Sequence, residues 1–210
     1  IKESDFIYFL AFDVGGSRYL KTYQKSFEFI QNNVRLMENT FNLIQKYNKP
    51  FIFTSSQMSN MDYSPYGTLK RLGEYYTSAL NGLTVKFWNV YGIEHDETKS
   101  HVITDFVKKA IHNQKIDMMT DGEEERQFLY ADDCSECLYT LSQNFQSLDK
   151  NQEYHITSFE WTKVIDIAKL IQNNIQCEIL PAEVKDQIQL NKKNIPDPYI
   201  RSEEHTSELQ

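Results

Sequence analysis

The 210-residue chain has no apolar run near the roughly 20 residues that cross a bilayer, and no signal-peptide pattern opens it. It therefore reads as a soluble, cytoplasmic protein with no membrane partner. An excess of basic residues is also missing: the net charge is −8, against the basic face a nucleic-acid binder presents. Three cysteines, Cys134, Cys137 and Cys177, are too few for a disulfide scaffold. Cys134 and Cys137 have a C-x-x-C spacing with no second ligand pair, so they are expected to be two small residues on a helix, and no metal site is expected. What is present is 40% hydrophobic and 25% charged residues, enough for a packed core.

Neither end looks like the end of a domain. The first residue is Ile1, and an apolar strand-like run begins at once, so the chain is expected to start in mid-domain. Residues 201–210, RSEEHTSELQ, read like a translated sequencing adapter and are set aside from fold and function.

Between these ends short apolar runs alternate with helical spacing. DFIYFLA (Asp5–Ala11), FIFT (Phe51–Thr54) and LTVKFW (Leu83–Trp88) read as buried strands, and Phe12–Tyr19 as a loop. Helices are expected over about Phe27–Lys46 and Pro65–Leu80, the second closed by Asn81-Gly82. Further along, helices are expected over His101–Ala110, Asp132–Leu141 and Glu160–Gln172, with short strands at Phe128–Ala131 and Glu153–Thr157. Residues 182–200 carry little signal. Strands joined by single helices, with no hairpin signal, predict an α/β fold with a parallel sheet. Ligands of such sheets sit at the carboxyl ends of the strands. That rule selects the Gly15–Gly16 loop, Ser55–Met58 and Asn89–Gly92.

Tyr66 and Lys70, in SPYGTLKRLGEYY, form a Y-x-x-x-K pair one helical turn apart. Free tyrosine titrates near 10, so it needs a nearby ammonium before it can act as a base at neutral pH. Tyr66 could then take a hydroxyl proton while hydride leaves the same carbon. Ser56, or Ser55, ends the preceding strand and is placed to hydrogen-bond the same oxygen. The pair alone is weakly specific; its setting between two strands, ten residues after T-S-S, raises its weight.

Read in order, FIFTSSQMS, YGTLKRLGE, KFWNVYG and ERQFLYADD resemble the NAD-dependent epimerase/dehydratases, the extended short-chain dehydrogenase/reductases, across about residues 5–172. The resemblance implies a partial Rossmann-like, doubly wound parallel sheet, its first strands missing, with a smaller C-terminal substrate-binding domain. It makes Ser56, Tyr66 and Lys70 catalytic. It places Ala11, Phe12, Ser55, Tyr66, Lys70 and Phe87 against NAD or NADP, with Trp88 near the nicotinamide. LAFDVGG puts Gly15, Gly16 and Ser17 at the sugar, while Asn89 and Arg126 bind the rest of a nucleotide-sugar substrate. Asn33 matches a helix-start asparagine that could instead bond only a neighbouring backbone. His95 and His101 have no evident partners in the sequence.

Two departures shape the expected reaction. Where the family's dehydratases carry an Asp-Glu pair, this chain has Gln57 and Met58, neither of them an acid. That favours 4-epimerisation through a transient 4-keto sugar, or simple oxidoreduction. A dehydratase or decarboxylase with a relocated base, and a non-catalytic binding relative, stay open as alternatives. The second departure is that the family's G-x-x-G-x-x-G phosphate turn occurs nowhere in the 210 residues. The chain alone is therefore expected to be inactive, to expose an apolar sheet edge, and to aggregate or fail to bind cofactor. Residues 1–92 are assigned to the Rossmann-like domain and 93–200 to the substrate-binding region, with about 126–147 packing back on the former. The resemblance also implies a homodimeric parent, because the family often dimerises through a four-helix bundle that includes the Tyr66 helix.

Overall fold

The computed structural model describes residues 1–61 and 63–185; the 201–210 tail and most of the low-signal stretch before it lie outside these. The strands are β1 Ile7–Phe9, β2 Phe51–Ser56, β3 Leu83–Phe87, β4 Asn89–Tyr91, β5 Lys115–Asp117, β6 Glu125–Tyr130, β7 Tyr154–Ile156, β8 Trp161–Lys163 and β9 Glu178–Leu180. The helices are α1 Ser17–Tyr23, α2 Phe27–Tyr47, α3 Pro65–Ala79, α4 Val102–Asn113, α5 Ala131–Gln143 and α6 Val164–Asn174. They fall into two compact units, residues 1–90 with 129–157, and residues 91–128 with 158–185.

The first unit holds a parallel sheet in the order β1-β2-β3-β7. Side chains of β2 alternate between its two faces. Phe51 and Phe53 meet Phe9 and Phe41 of α2, with ring centroids 5.2–6.0 Å apart. Ile52 joins Leu83, Val85 and Ile156 against Cys134, Leu138 and Phe145, on and just beyond α5. Cys134 is thus core, whereas Cys137 on the same helix is exposed.

Local chemistry sets the helix ends. The Ser26 hydroxyl accepts from the Phe29 amide and starts α2, which ends at left-handed Asn48. Ser64 caps α3 through the Gly67 amide, and Pro65 occupies its first turn. Two glycines let α3 lie close on its neighbours. A Cβ on Gly67 would stand 2.1 Å from the Met58 carbonyl oxygen, and one on Gly73 would stand 2.3 Å from the Phe53 ring.

The second unit pairs β5 with β9 in parallel and β6 with β8 antiparallel. Its core joins Phe106 and Ala110 of α4 to Val164, Ala168 and Ile171 of α6, with Ile116 and Met118.

Several expectations change, among them the Phe128–Ala131 strand, which runs Glu125–Tyr130 with Ala131 opening α5. Helix α1 starts inside the segment read as a loop through Tyr19. The helix expected from Glu160 begins at Val164, after a strand that pairs with β6. His101 does have a partner: its Nδ1 lies 2.5 Å from Glu94 Oε1, while Glu94 Oε2 accepts the His101 amide at 2.8 Å. Burial works against ionisation of Glu94, but the His101 hydrogen bonds hold its carboxyl down to about 2.

Candidate active site

The carboxyl end of β2 and the first turns of α3 build the site. Because side chains alternate along β2, Ser55 and Ser56 point to opposite faces. Ser55 donates its hydroxyl to Glu74 of α3. Ser56 accepts from the Met58 amide at 3.2 Å and hydrogen-bonds the Tyr66 side chain. It also caps the 3₁₀ turn Gln57–Asn60, which follows β2 and packs against α3. Ser56 is therefore the serine beside Tyr66.

Tyr66 is buried, and its ring meets Phe12 edge-on at 5.9 Å. Burial pushes its hydroxyl up to about 12, against the Ser56 hydrogen bond, which draws it down. Lys70 is also buried. Its ammonium donates to the Thr54 carbonyl at 2.7 Å and lies 3.9 Å from the Phe12 ring centroid. Burial pushes it down to about 7, against the Glu74 carboxylate, which favours the charged form. Thr54 is the one hydrogen-bond acceptor of the Lys70 ammonium among the described residues, so two of its three donors stay available for oxygen ligands.

The start of α3 is held from a distance. Gln24, buried at the end of α1, takes the Ser64 hydroxyl at 2.8 Å and the Tyr66 amide at 3.4 Å through one oxygen. Asn33 of α2 bonds both backbone groups of Asp13, receiving its amide at 2.7 Å and donating to its carbonyl at 3.1 Å. It thereby fixes the segment that carries Phe12 and leads to Gly15, Gly16 and Ser17.

The remaining residues singled out in the sequence are spread more widely. Ala11 is exposed and Phe12 half-buried; Gly15 and Gly16 are buried ahead of α1, and Ser17 opens that helix exposed. Phe87 is the β-partner of Ser56 at the end of β3. Trp88 donates its indole N–H to His155 Nδ1 at 3.0 Å, and Asn89 is half-buried in β4. Arg126 is buried in β6 of the second unit, opposite Thr162, and donates to the Glu125 carbonyl at 2.7 Å. Among the described residues no group of three or more His, Cys, Asp or Glu side chains could hold a metal ion.

The sequence reading missed Gln24, Glu74 and Lys86. Glu74 could have been found from its place four residues after Lys70. Lys86 carries the signal of a lone charge inside an apolar strand.

The model of the NAD-dependent epimerase/dehydratase family matches residues 1–157, three quarters of the chain. The chain belongs to this family. A protein inferred to be a UDP-glucose 4-epimerase, from Methanocaldococcus jannaschii, is 30% identical over 120 residues, which cover 53% of this chain and 37% of that one. The chain thus matches well under half the length of that relative. Among solved structures, the UDP-N-acetylglucosamine 4-epimerase of Methanobrevibacter ruminantium superposes with a TM-score of 0.73 at 19% identity, over 100% of this chain and 74% of its own. TunA, an NAD-dependent NDP-hexosamine 5,6-dehydratase of tunicamycin biosynthesis, gives 0.75 at 17% identity, over 90% and 67%. At these identities the two structures establish the fold, which is that of the Rossmann-like epimerases. The family's cofactor is NAD.

Proposed function

We propose that the chain carries the catalytic face of an enzyme that epimerises a nucleotide sugar, or oxidises or reduces it, through a transient 4-keto sugar. The observation that carries this reading is the buried Ser56–Tyr66–Lys70 set, in which Lys70 keeps two donors for oxygen ligands. NAD or NADP, when bound, accepts the sugar's hydride and can return it. Tyr66 takes the proton of the sugar 4-hydroxyl as that hydride departs, and gives it back when the ketone is reduced. Ser56 orients the reacting oxygen and stabilises the phenolate. Lys70 offsets the phenolate charge and offers its remaining donors to cofactor hydroxyls, with Ala11, Phe12, Ser55 and Phe87 around it. Gly15, Gly16, Ser17, Asn89 and Arg126 take the substrate. Gln57 and Met58 are buried directly after Ser56, and neither supplies the acid that elimination of water needs.

The division follows the same reading, with residues 1–92 on the cofactor side and 93–200 on the substrate side. Residues 129–157 cluster with the first unit, which supports their packing back. The parent protein is read as a cytoplasmic homodimer. Exposed Ile30, Val34 and Leu43 on α2, with Leu72, Tyr75 and Tyr76 on α3, supply the apolar surface. With no glycine-rich phosphate turn among its 210 residues, the chain alone is expected to be inactive and to bind NAD too weakly to raise its melting temperature.

The test is a panel of UDP- and GDP-sugars given to the full-length protein with NAD, read as 4-epimer formed or cofactor reduced. Turnover that Tyr66→Phe abolishes supports the proposal. Cofactor binding without turnover of any sugar would sink it.

A further inference from the structure

On the face of the sheet reached by Ser55 lies a polar cluster whose members Glu74, Arg71 and Lys86 the proposed chemistry does not use. Two consecutive residues of β2 hold two consecutive turns of α3: the Thr54 carbonyl accepts from Lys70 at 2.7 Å, and the Ser55 hydroxyl donates to Glu74. Glu74 stands four residues after Lys70, on the same face of α3. Its carboxylate also meets Arg71 Nη1 at 3.2 Å and Lys86 Nζ at 3.4 Å. Lys86 has no exposed surface, sits in register with Ser55, and lies 2.9 Å from Glu153.

An ammonium buried in the sheet is expensive unless anions face it. The same carboxylate, that of Glu74, stands one helical turn from Lys70 on the buried face of α3. The charged and titratable groups of the cluster are Tyr66, Arg71 and Glu74 from α3, Lys86 from β3 against Glu74, and Glu153 from the segment ahead of β7 against Lys86. From β2 Lys70 meets the Thr54 carbonyl and the Phe53 ring, and from the segment after β1 the Phe12 ring. Glu74 is the carboxylate one turn from Lys70 on α3, and its ion pairs are with Arg71 and Lys86.

We propose that Glu74 is a positioning residue for Lys70: it keeps the Lys70 ammonium charged, and Lys86 competes with Lys70 for the same carboxylate. This rests on the reading of Tyr66 and Lys70 as the catalytic pair. Lys70 can offset a phenolate only while it is protonated. Even with Glu74 beside it, burial brings its titration down to about 7. Removing the carboxylate would lower that midpoint further and leave less of the ammonium charged near pH 7. Removing Lys86 would act in the opposite sense, because one like charge leaves and more of the Glu74 charge falls to Lys70.

The experiment is a pH titration of the full-length protein carrying ¹³C-labelled lysine, followed by NMR, with Lys70→Met identifying the Lys70 signal. Glu74→Gln is expected to lower the Lys70 midpoint by about one pH unit or more, and Lys86→Met to raise it. Midpoints that move in the same direction, or stay unmoved in Glu74→Gln, overturn the proposal. If Glu74→Gln does not fold, Lys86→Met decides alone, a rise supporting the proposal and a fall or no change overturning it. The titration needs no substrate, so failure to turn over any sugar nucleotide would count against the catalytic reading and not against the coupling. In an active enzyme the alkaline limb of kcat is expected to follow the same two opposite shifts, which a merely structural role for Glu74 would not produce.

Discussion

Helices α3 and α4 are of similar length, yet they treat their polar residues in opposite ways. Helix α3 buries Tyr66, Lys70, Glu74 and Thr77 along the face that meets the sheet. Helix α4 fully buries only Phe106 and Ala110, and its partly buried Lys109 pairs with Asp105 at 2.9 Å and with the exposed Asp117 at 3.1 Å. Packing alone asks for the second pattern, since an apolar stripe is enough to hold a helix. The first pattern carries a desolvation cost that a fold has no structural reason to accept, and perturbed ionisable groups of this kind gather where chemistry is done.

The largest effect that follows is the loss of turnover in Tyr66→Phe. A general base of this kind contributes about 10²- to 10⁴-fold, so kcat of the full-length enzyme should fall by that much. Its melting temperature should stay close to that of the parent, since the ring and its contact with Phe12 remain. A matching change on α4, Lys109→Met, should leave kcat alone.

Next comes a pH dependence that α4 cannot share. The folded-state pKa of Lys70 lies below its ordinary value, so the unfolded chain binds the extra proton between about 7 and 10.5. Stability from this group therefore rises with pH across that window, and below about 7 the full cost of a buried ammonium is present. Lys70→Met should be more heat-stable than the parent at pH 6, and the difference should shrink towards pH 10. Tyr66 runs the other way: its raised pKa makes stability fall as pH climbs from 10 to about 12. Thermal melts of Lys70→Met at pH 6, 8 and 10, and of Tyr66→Phe at pH 9 and 11, read this directly; a pH-independent Lys70→Met increment would refute it.

The contrast between the helices was half visible in the sequence. Tyr66 and Lys70 could be paired because they are one turn apart, and β2, α3 and β3 could be outlined from the apolar runs FIFT and LTVKFW and from Asn81-Gly82, which closes α3. What the sequence hides is contact across distance. Gln24 and Tyr66 are 42 residues apart, and nothing in SRYLKTYQ marks α1 as a helix. That helix buries Leu20 alone and has neither a side-chain cap nor an acidic first turn. Strands β4, β5, β8 and β9 have three residues each, too few for alternation to be read. The choice between Ser55 and Ser56 needed the strand's facing, which a one-residue shift in register reverses.

A change in backbone spacing should follow in size. Gly67→Ala places a Cβ 2.1 Å from the Met58 carbonyl oxygen, a backbone atom that cannot turn aside. The 57–60 turn must then shift, at a cost of about 1–3 kcal/mol. Because Ser56 caps that turn, kcat should fall along with stability. An equally destabilising change in the second unit, such as Val164→Ala in its core, should lower stability without the same loss of kcat.

The smallest effect belongs to the exposed charges of the second unit. Lys169 pairs with Asp166 at 3.1 Å, three residues apart on α6, with both side chains more than half exposed. Solvent screens such a pair, and ordering two long side chains offsets most of the attraction. Lys169→Ala should therefore change stability by no more than a few tenths of a kcal/mol. It should leave kcat unchanged, and added salt should erase what little difference remains. The comparison with α3 sharpens here, because the same residue type that sets a proton equilibrium at Lys70 does almost nothing at Lys169. If Lys169→Ala moved the pH profile of turnover, burial would not be what separates the two helices.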